Sequence, residues 1–159
     1  DGQVAGYMEE TGFFDTKWTV SIDGNTWFYA KFVTDEPINE NTDTLVSATT
    51  YGFYDADDTC IGYAQEQAVK GGSGGYYICY MDADGNPKDY YSNEEATQTY
   101  DSEGNLIATG TVDFNGFFES QHCYVEITAE EDSTIQMDFM DKMAMYLYLF
   151  SDFNSEHLD

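Results

Sequence analysis

Acidic side chains make up most of the residues that could do chemistry. The chain has 31 Asp and Glu, many in short turn-like clusters: Asp55-Ala-Asp-Asp58, Asp82-Ala-Asp-Gly-Asn86 and Asp101-Ser-Glu-Gly-Asn105. Oxygen ligands at alternate positions, as at Asp82, Asp84 and Asn86, are how a calcium loop begins. A helix–loop–helix calcium site also needs a bidentate Glu at the twelfth loop position and a helix on each side. Counted from Asp82 that position is Asn93, and the flanks read as strands. The composition still allows a structural calcium elsewhere, held by carboxylates and backbone carbonyls.

Glycoside hydrolysis needs two poised carboxylates, but so many acids guarantee close pairs by chance, and no pair is singled out. Glu126 and Asp138 are the acids of most interest, because they fall among residues expected to face outward. Nucleophilic catalysis has little to work with. The two histidines are His122, beside Cys123, and His157, near the end of the chain. Consecutive strand residues point to opposite faces, so His122 and Cys123 do not make a dyad. No Walker A or H-E-x-x-H pattern occurs. Cys60, Cys79 and Cys123 lack zinc-ligand spacing and lie in apolar strand-like runs, which suits core packing. Their odd number fits either one bridge plus a free thiol or three reduced thiols. The expectation is a non-enzyme with no required cofactor.

Five Lys, no Arg and 31 acids leave a net charge of −26. Such a surface repels phosphate backbones, whose binding depends on Lys and Arg releasing counterions, and it repels anionic membranes equally. Nucleic acid is therefore excluded as a partner, leaving neutral molecules, cations or basic proteins. The longest apolar run, from Met143 to Phe150, is far too short to span a bilayer as a helix. The chain opens Asp-Gly-Gln without Met and is expected to be a mature or excised piece, a monomeric module of a larger extracellular or cell-surface chain.

These residues need a scaffold, and the patterning supplies one. At 159 residues, with 42% hydrophobic and 17% aromatic content, the chain can bury one good core, and residues 1–159 are expected to form a single domain. Lys17 to Val33 is the clearest element, two alternating runs joined by the Gly-containing turn Asp23-Gly24-Asn25-Thr26, which is a hairpin signature. Trp18, Val20 and Ile22 form an apolar face of the first strand, and Phe28, Ala30 and Phe32 one of the second. Trp27, Tyr29, Lys31 and Val33 take the other side of the second strand.

Further strands are expected over 45–54, 60–69, 76–81, 96–100, 106–114, 116–121, 123–129, 134–140 and 144–150. Residues 88–95 are read as an acidic loop, and those from 151 as a polar tail. No sustained helical period is read anywhere. Many short strands with frequent turns predict an all-β antiparallel sandwich of jelly-roll or Ig-like topology. A faint echo relates Tyr54-Asp-Ala-Asp-Asp to Tyr100-Asp-Ser-Glu-Gly, but tight-turn chemistry alone accounts for it.

Alternation on the late strands leaves Tyr124 and Glu126, then Gln136 and Asp138, then Tyr146 and Tyr148 facing away from the core. Set beside Trp27 and Tyr29, these would make an aromatic sheet face edged by amides and acids. Flat rings can stack on the C–H faces of a sugar while polar groups take its hydroxyls.

In this the chain resembles the β-sandwich carbohydrate-binding modules of secreted bacterial glycanases and cellulosome-like assemblies. The resemblance is carried by Trp27-Phe28-Tyr29, by Tyr146-Leu147-Tyr148, by the acidic Arg-free surface and by the Asp/Gly/Asn turns. It implies non-catalytic binding of a neutral polysaccharide, with a glucan expected. Trp27, Tyr29, Tyr124, Glu126, Gln136, Asp138, Tyr146 and Tyr148 would form the ligand site. Such modules often carry a structural calcium, which here transfers to no particular residue. A structural or adhesion module of a bacterial surface protein is the alternative.

Overall fold

The computed structural model describes residues 6–11, 17–34, 45–69, 74–115, 122–133 and 135–157; the expected strand over 116–121 lies outside the described residues. Ten strands precede one helix: β1 (Gly6–Thr11), β2 (Lys17–Ile22), β3 (Asn25–Thr34), β4 (Leu45–Asp55), β5 (Cys60–Val69), β6 (Tyr77–Met81), β7 (Pro87–Asn93), β8 (Gln98–Asp101), β9 (Leu106–Asn115), β10 (His122–Ala129) and α1 (Phe139–His157). The hydrogen-bonding order of the strands is their order in the chain, and the fold is essentially antiparallel β. This meander corrects the expected topology. Jelly-roll and Ig-like folds need crossovers between non-consecutive strands, and the order contains none. The chain divides into two compact units: Asp1–Gly72 with Tyr80–Pro87, and Ser73–Cys79 with Lys88–Asp159.

The first unit holds β1 to β5. Val20, Phe28, Ala30, Tyr51, Phe53 and Ala64 are buried and share one sheet face by register. Phe28 meets Phe53 edge-on at 6.1 Å, and Trp18 meets Tyr51 at 5.3 Å, geometries that aromatic pairs prefer. The β2–β3 turn is tighter than the expected stretch of residues 23–26, with only Asp23 and Gly24 between the strands. Asp23 and Gly24 both have positive φ, 51° and 78°, as a type I′ hairpin requires.

Three later turns share one design. Asp55, Asp82 and Asp101 each use Oδ1 to accept two backbone N–H groups, from Asp57 and Thr59, from Asp84 and Asn86, and from Glu103 and Asn105 respectively. The fourth residue of each turn, Asp58, Gly85 or Gly104, takes positive φ. Hydrogen bonds from the Asn105 side chain and backbone hold the Asp101 carboxyl below the usual carboxylate range. The Asp-rich clusters are therefore hairpin closures, with the first carboxylate turned inward onto its own backbone. Among the described residues no group of three or more His, Cys, Asp or Glu is arranged to hold a metal ion.

The second unit departs most from expectation. Residues 88–95, read as a loop, lie largely in β7. Residues 144–150, read as a strand, lie in α1, which begins at Phe139 and takes in the expected polar tail as far as His157. Asp138 caps the helix, its carbonyl accepting the Lys142 N–H at 3.0 Å. Asp141, Ala144, Met145 and Tyr148 are buried at the i, i+3, i+4, i+7 spacing of a helix face. Leu147 and Leu149 are buried as well, so the apolar surface wraps nearly round the helix and alternation could be read into it. Met, Ala and Leu are strong helix formers, and tertiary burial does the rest.

Helix α1 packs on β9 and β10, and Gly110 sets how closely. A Cβ at Gly110 would lie 2.7 Å from Leu149 Cδ1, 2.8 Å from the Ala96 carbonyl oxygen and 2.8 Å from Met145 Cε. The carbonyl belongs to the backbone and cannot swing away. Gly110→Ala is therefore expected to destabilise the protein by about 1–3 kcal/mol, read as a lower midpoint in chemical denaturation.

Candidate functional site

In the first unit, the face opposite the core is polar and aromatic. Register puts Lys17, Thr19, Tyr29, Lys31, Gly52, Tyr54 and Tyr63 on it. The Tyr29 and Tyr54 rings stack, centroids 5.3 Å apart and 18° from parallel. Lys17 Nζ sits 4.6 Å from the Tyr29 centroid and Lys31 Nζ 4.9 Å from that of Tyr54. The Tyr29 hydroxyl donates to Asp58 Oδ1 at 2.7 Å. Farther along the face, buried Gln65 donates to Thr50 and accepts from Gln67. Cys60 and Cys79 are thiols; the side chain of Cys123 lies outside the described residues. Burial pushes the Cys79 thiol up to about 11, with the Asp141 charge adding to it, so Cys79 is a poor nucleophile near neutrality.

The regular part of β3 is short, because a bulge lies at each end. Val20 and Ser21 are consecutive in β2 but oppose Phe28 and Thr26, which leaves Trp27 as the extra residue. Between Phe32 and Thr34, Val33 is the extra residue. Across β4 and β5 the same holds for Ile61, between Cys60 and Gly62. All three are exposed large apolar residues, as expected where a bulge re-aims a side chain. Trp27 is 50% exposed. It lines a groove of about 280 Å³ with Ile22, Asn25 and Thr26.

The expected ligand residues fall in both units. Trp27 and Tyr29 lie in the first and the other six in the second. Trp27 is exposed, but as a bulge residue it does not share the Tyr29–Lys31 face through strand alternation. Tyr29 is only 8% exposed, because Tyr54 and Lys17 cover its ring, so it offers no open platform. Glu126 is exposed on β10; the side chain of Tyr124 lies outside the described residues. Gln136 is exposed ahead of the helix and donates to the Ser133 carbonyl at 3.2 Å. Tyr146 and Tyr148 are helix residues, half-buried and 4% exposed respectively. The strand face expected to carry Gln136, Asp138, Tyr146 and Tyr148 does not form.

Asp138 belongs to a cluster that sequence reasoning missed. Lys88 Nζ bridges Asp138 Oδ2 at 2.8 Å and Asp141 Oδ2 at 2.6 Å. Tyr90 donates its hydroxyl to the same Asp141 oxygen and accepts the Asp138 backbone N–H at 3.2 Å. Asp141 is fully buried, and its Oδ1 has no hydrogen-bond partner among the described residues. Burial pushes the Asp141 carboxyl upward, against the pull of the hydrogen bond and charge of Lys88. Burial works to lower Lys88, but its hydrogen bonds to Asp138 and Asp141 carry it above the ordinary lysine value. Tyr90 is raised by burial and by the Asp141 charge. The cluster ties β7 to the first turn of α1, where an acid also suits the helix dipole. The only signal for it in the sequence is a lone Lys in an acidic stretch, and its partner lies 53 residues away.

Removing one partner of a buried pair leaves an uncompensated charge. Lys88→Met is expected to cost about 3 kcal/mol at neutral pH and less in acid, where Asp141 takes up a proton; urea titrations at several pH values measure this. Lys88 and Tyr90 both have folded values above their unfolded ones. Their stabilisation is therefore complete below about pH 10 and is lost as pH rises through the folded values. Thermal melts on the alkaline side should fall with pH for the wild type and fall less steeply for Tyr90→Phe. No protein-family model, curated protein or solved structure matches the chain.

Proposed function

We propose that the protein is a non-catalytic module that binds a neutral polysaccharide, with a glucan as the leading ligand class, and serves outside the cell as part of a larger chain. The observation that carries this reading is Trp27, a half-exposed indole set on a bulge. It lines a groove beside the amide of Asn25 and the hydroxyl of Thr26. A flat ring next to hydrogen-bonding groups suits a sugar, whose C–H face stacks while its hydroxyls are satisfied. The groove lies at the small end of ligand clefts, which fits contact with a short stretch of polymer. The contact centres on Trp27 of the first unit rather than on a broad tyrosine face. Glu126, Gln136 and the late tyrosines belong to the other unit and are not needed for it.

A second reading has its own support. Phe32 and Val33, adjacent in β3, are 49% and 40% exposed, and exposed apolar neighbours suit contact with another protein. This is the structural or adhesion role.

Affinity electrophoresis through gels containing soluble glucans, mannans or xylans separates the two. The wild type should be retarded on at least one glycan with no product released. Trp27→Ala should abolish the retardation while changing stability by no more than about 0.5 kcal/mol, as for an exposed site. Retention on no glycan would sink the carbohydrate reading. So would unfolding of Trp27→Ala, which would make Trp27 a core residue.

A further inference from the structure

With five lysines against 31 acids, a lysine placed at random would usually find a carboxylate, and Lys88 holds two. Lys17 and Lys31 behave differently. They are direct cross-strand partners, a like-charge arrangement that is destabilising by itself. Among the described residues neither has a carboxylate within salt-bridge distance. Each ammonium is held over a tyrosine ring, and the two rings are stacked on each other. Ring attraction steadies the two long side chains but does not neutralise them. Asp58, the carboxylate bonded to the stack, receives the Tyr29 hydroxyl.

We propose that Lys17 and Lys31 form a carboxylate-accepting subsite for a uronic acid unit carried on an otherwise neutral glycan. The proposal rests on the polysaccharide reading above and names the substituent that the module selects. A carboxylate offers two acceptor oxygens, and either ammonium can donate a charge-assisted hydrogen bond to it. The tyrosine stack orders both ammonium groups beforehand, which reduces the entropy lost on binding. The net charge of −26 repels polyanions, but at physiological salt that field is screened beyond roughly 8 Å. A single acidic unit at contact therefore feels the lysine pair, whereas a polymer charged at every unit feels the whole surface. This selects a sparsely acidic sugar chain over nucleic acid.

The test is isothermal titration at about 0.15 M salt, near physiological ionic strength. It uses matched oligosaccharides of glucan, mannan and xylan backbones, each neutral or carrying one uronate. For the backbone that binds, the wild type should prefer the uronate form by about tenfold, the scale of one charge-assisted contact. Lys17→Gln/Lys31→Gln should erase that preference and leave the neutral affinity unchanged. Lys17→Arg/Lys31→Arg, which keeps both charges, should retain it, and circular dichroism should show all three proteins folded. A wild type without the preference, or a preference that survives the double Gln change, overturns the subsite and leaves the polysaccharide reading standing. Failure of every oligosaccharide to bind overturns both.

Discussion

A β-strand turns its side chains over at every residue, so one inserted residue reverses the facing of everything beyond it. That constraint governs the first unit. Its core face is regular through residues 28–32 of β3, where Phe28 and Ala30 are buried against Val20, Trp18 and Phe53, while Phe32, opposite Tyr51 and expected in the core, is 49% exposed. At either end a single extra residue breaks the pattern, Trp27 on one side and Val33 on the other. The bulges keep the core face intact between them and turn apolar side chains outward at their own positions. Fold and surface thus come from the same short strand: the regular part packs, and the irregular ends present.

The second unit depends on a different interaction. Asp141 is buried entirely, with Lys88 and Tyr90 on one oxygen and no hydrogen-bond partner for the other among the described residues. A buried ion pair of this kind is weak evidence for net stability, because desolvation can outweigh attraction. It is better suited to specifying where the helix starts, since a displaced first turn would strand both charges. Gly110 complements it, letting α1 approach β9 closely at Leu149 and Met145.

Much of the strand pattern was legible in the residues. The opening hairpin, the β4 and β5 strands and the Asp-based turns follow from alternation and from the need for positive φ at Asp58, Gly85 and Gly104. The helix was not, because apolar residues run almost without interruption through 143–149, and such a run fits a period of two as readily as 3.6. Of the proposed site, Trp27 was legible as a residue but not in its setting. Nothing local in Thr26-Trp27-Phe28 marks a bulge, which is fixed by how β2 pairs with β3. The lysine pair was half legible: alternation sets Lys17 and Lys31 on the non-core face, while only register shows that they are opposite one another.

Local chemistry, then, was determined by the sequence alone: the antiparallel β character, the turn residues, the strongly negative net charge and most of the apolar face of the first hairpin. These depend on neighbours a few positions away and on summed charge. The strand order, the two bulges that expose Trp27 and Val33, the helix in place of the expected 144–150 strand and the Lys88–Tyr90–Asp141 cluster were decided by the tertiary structure. Each depends on which distant segment a residue meets, and burial against that segment outweighs the preference any short stretch has by itself.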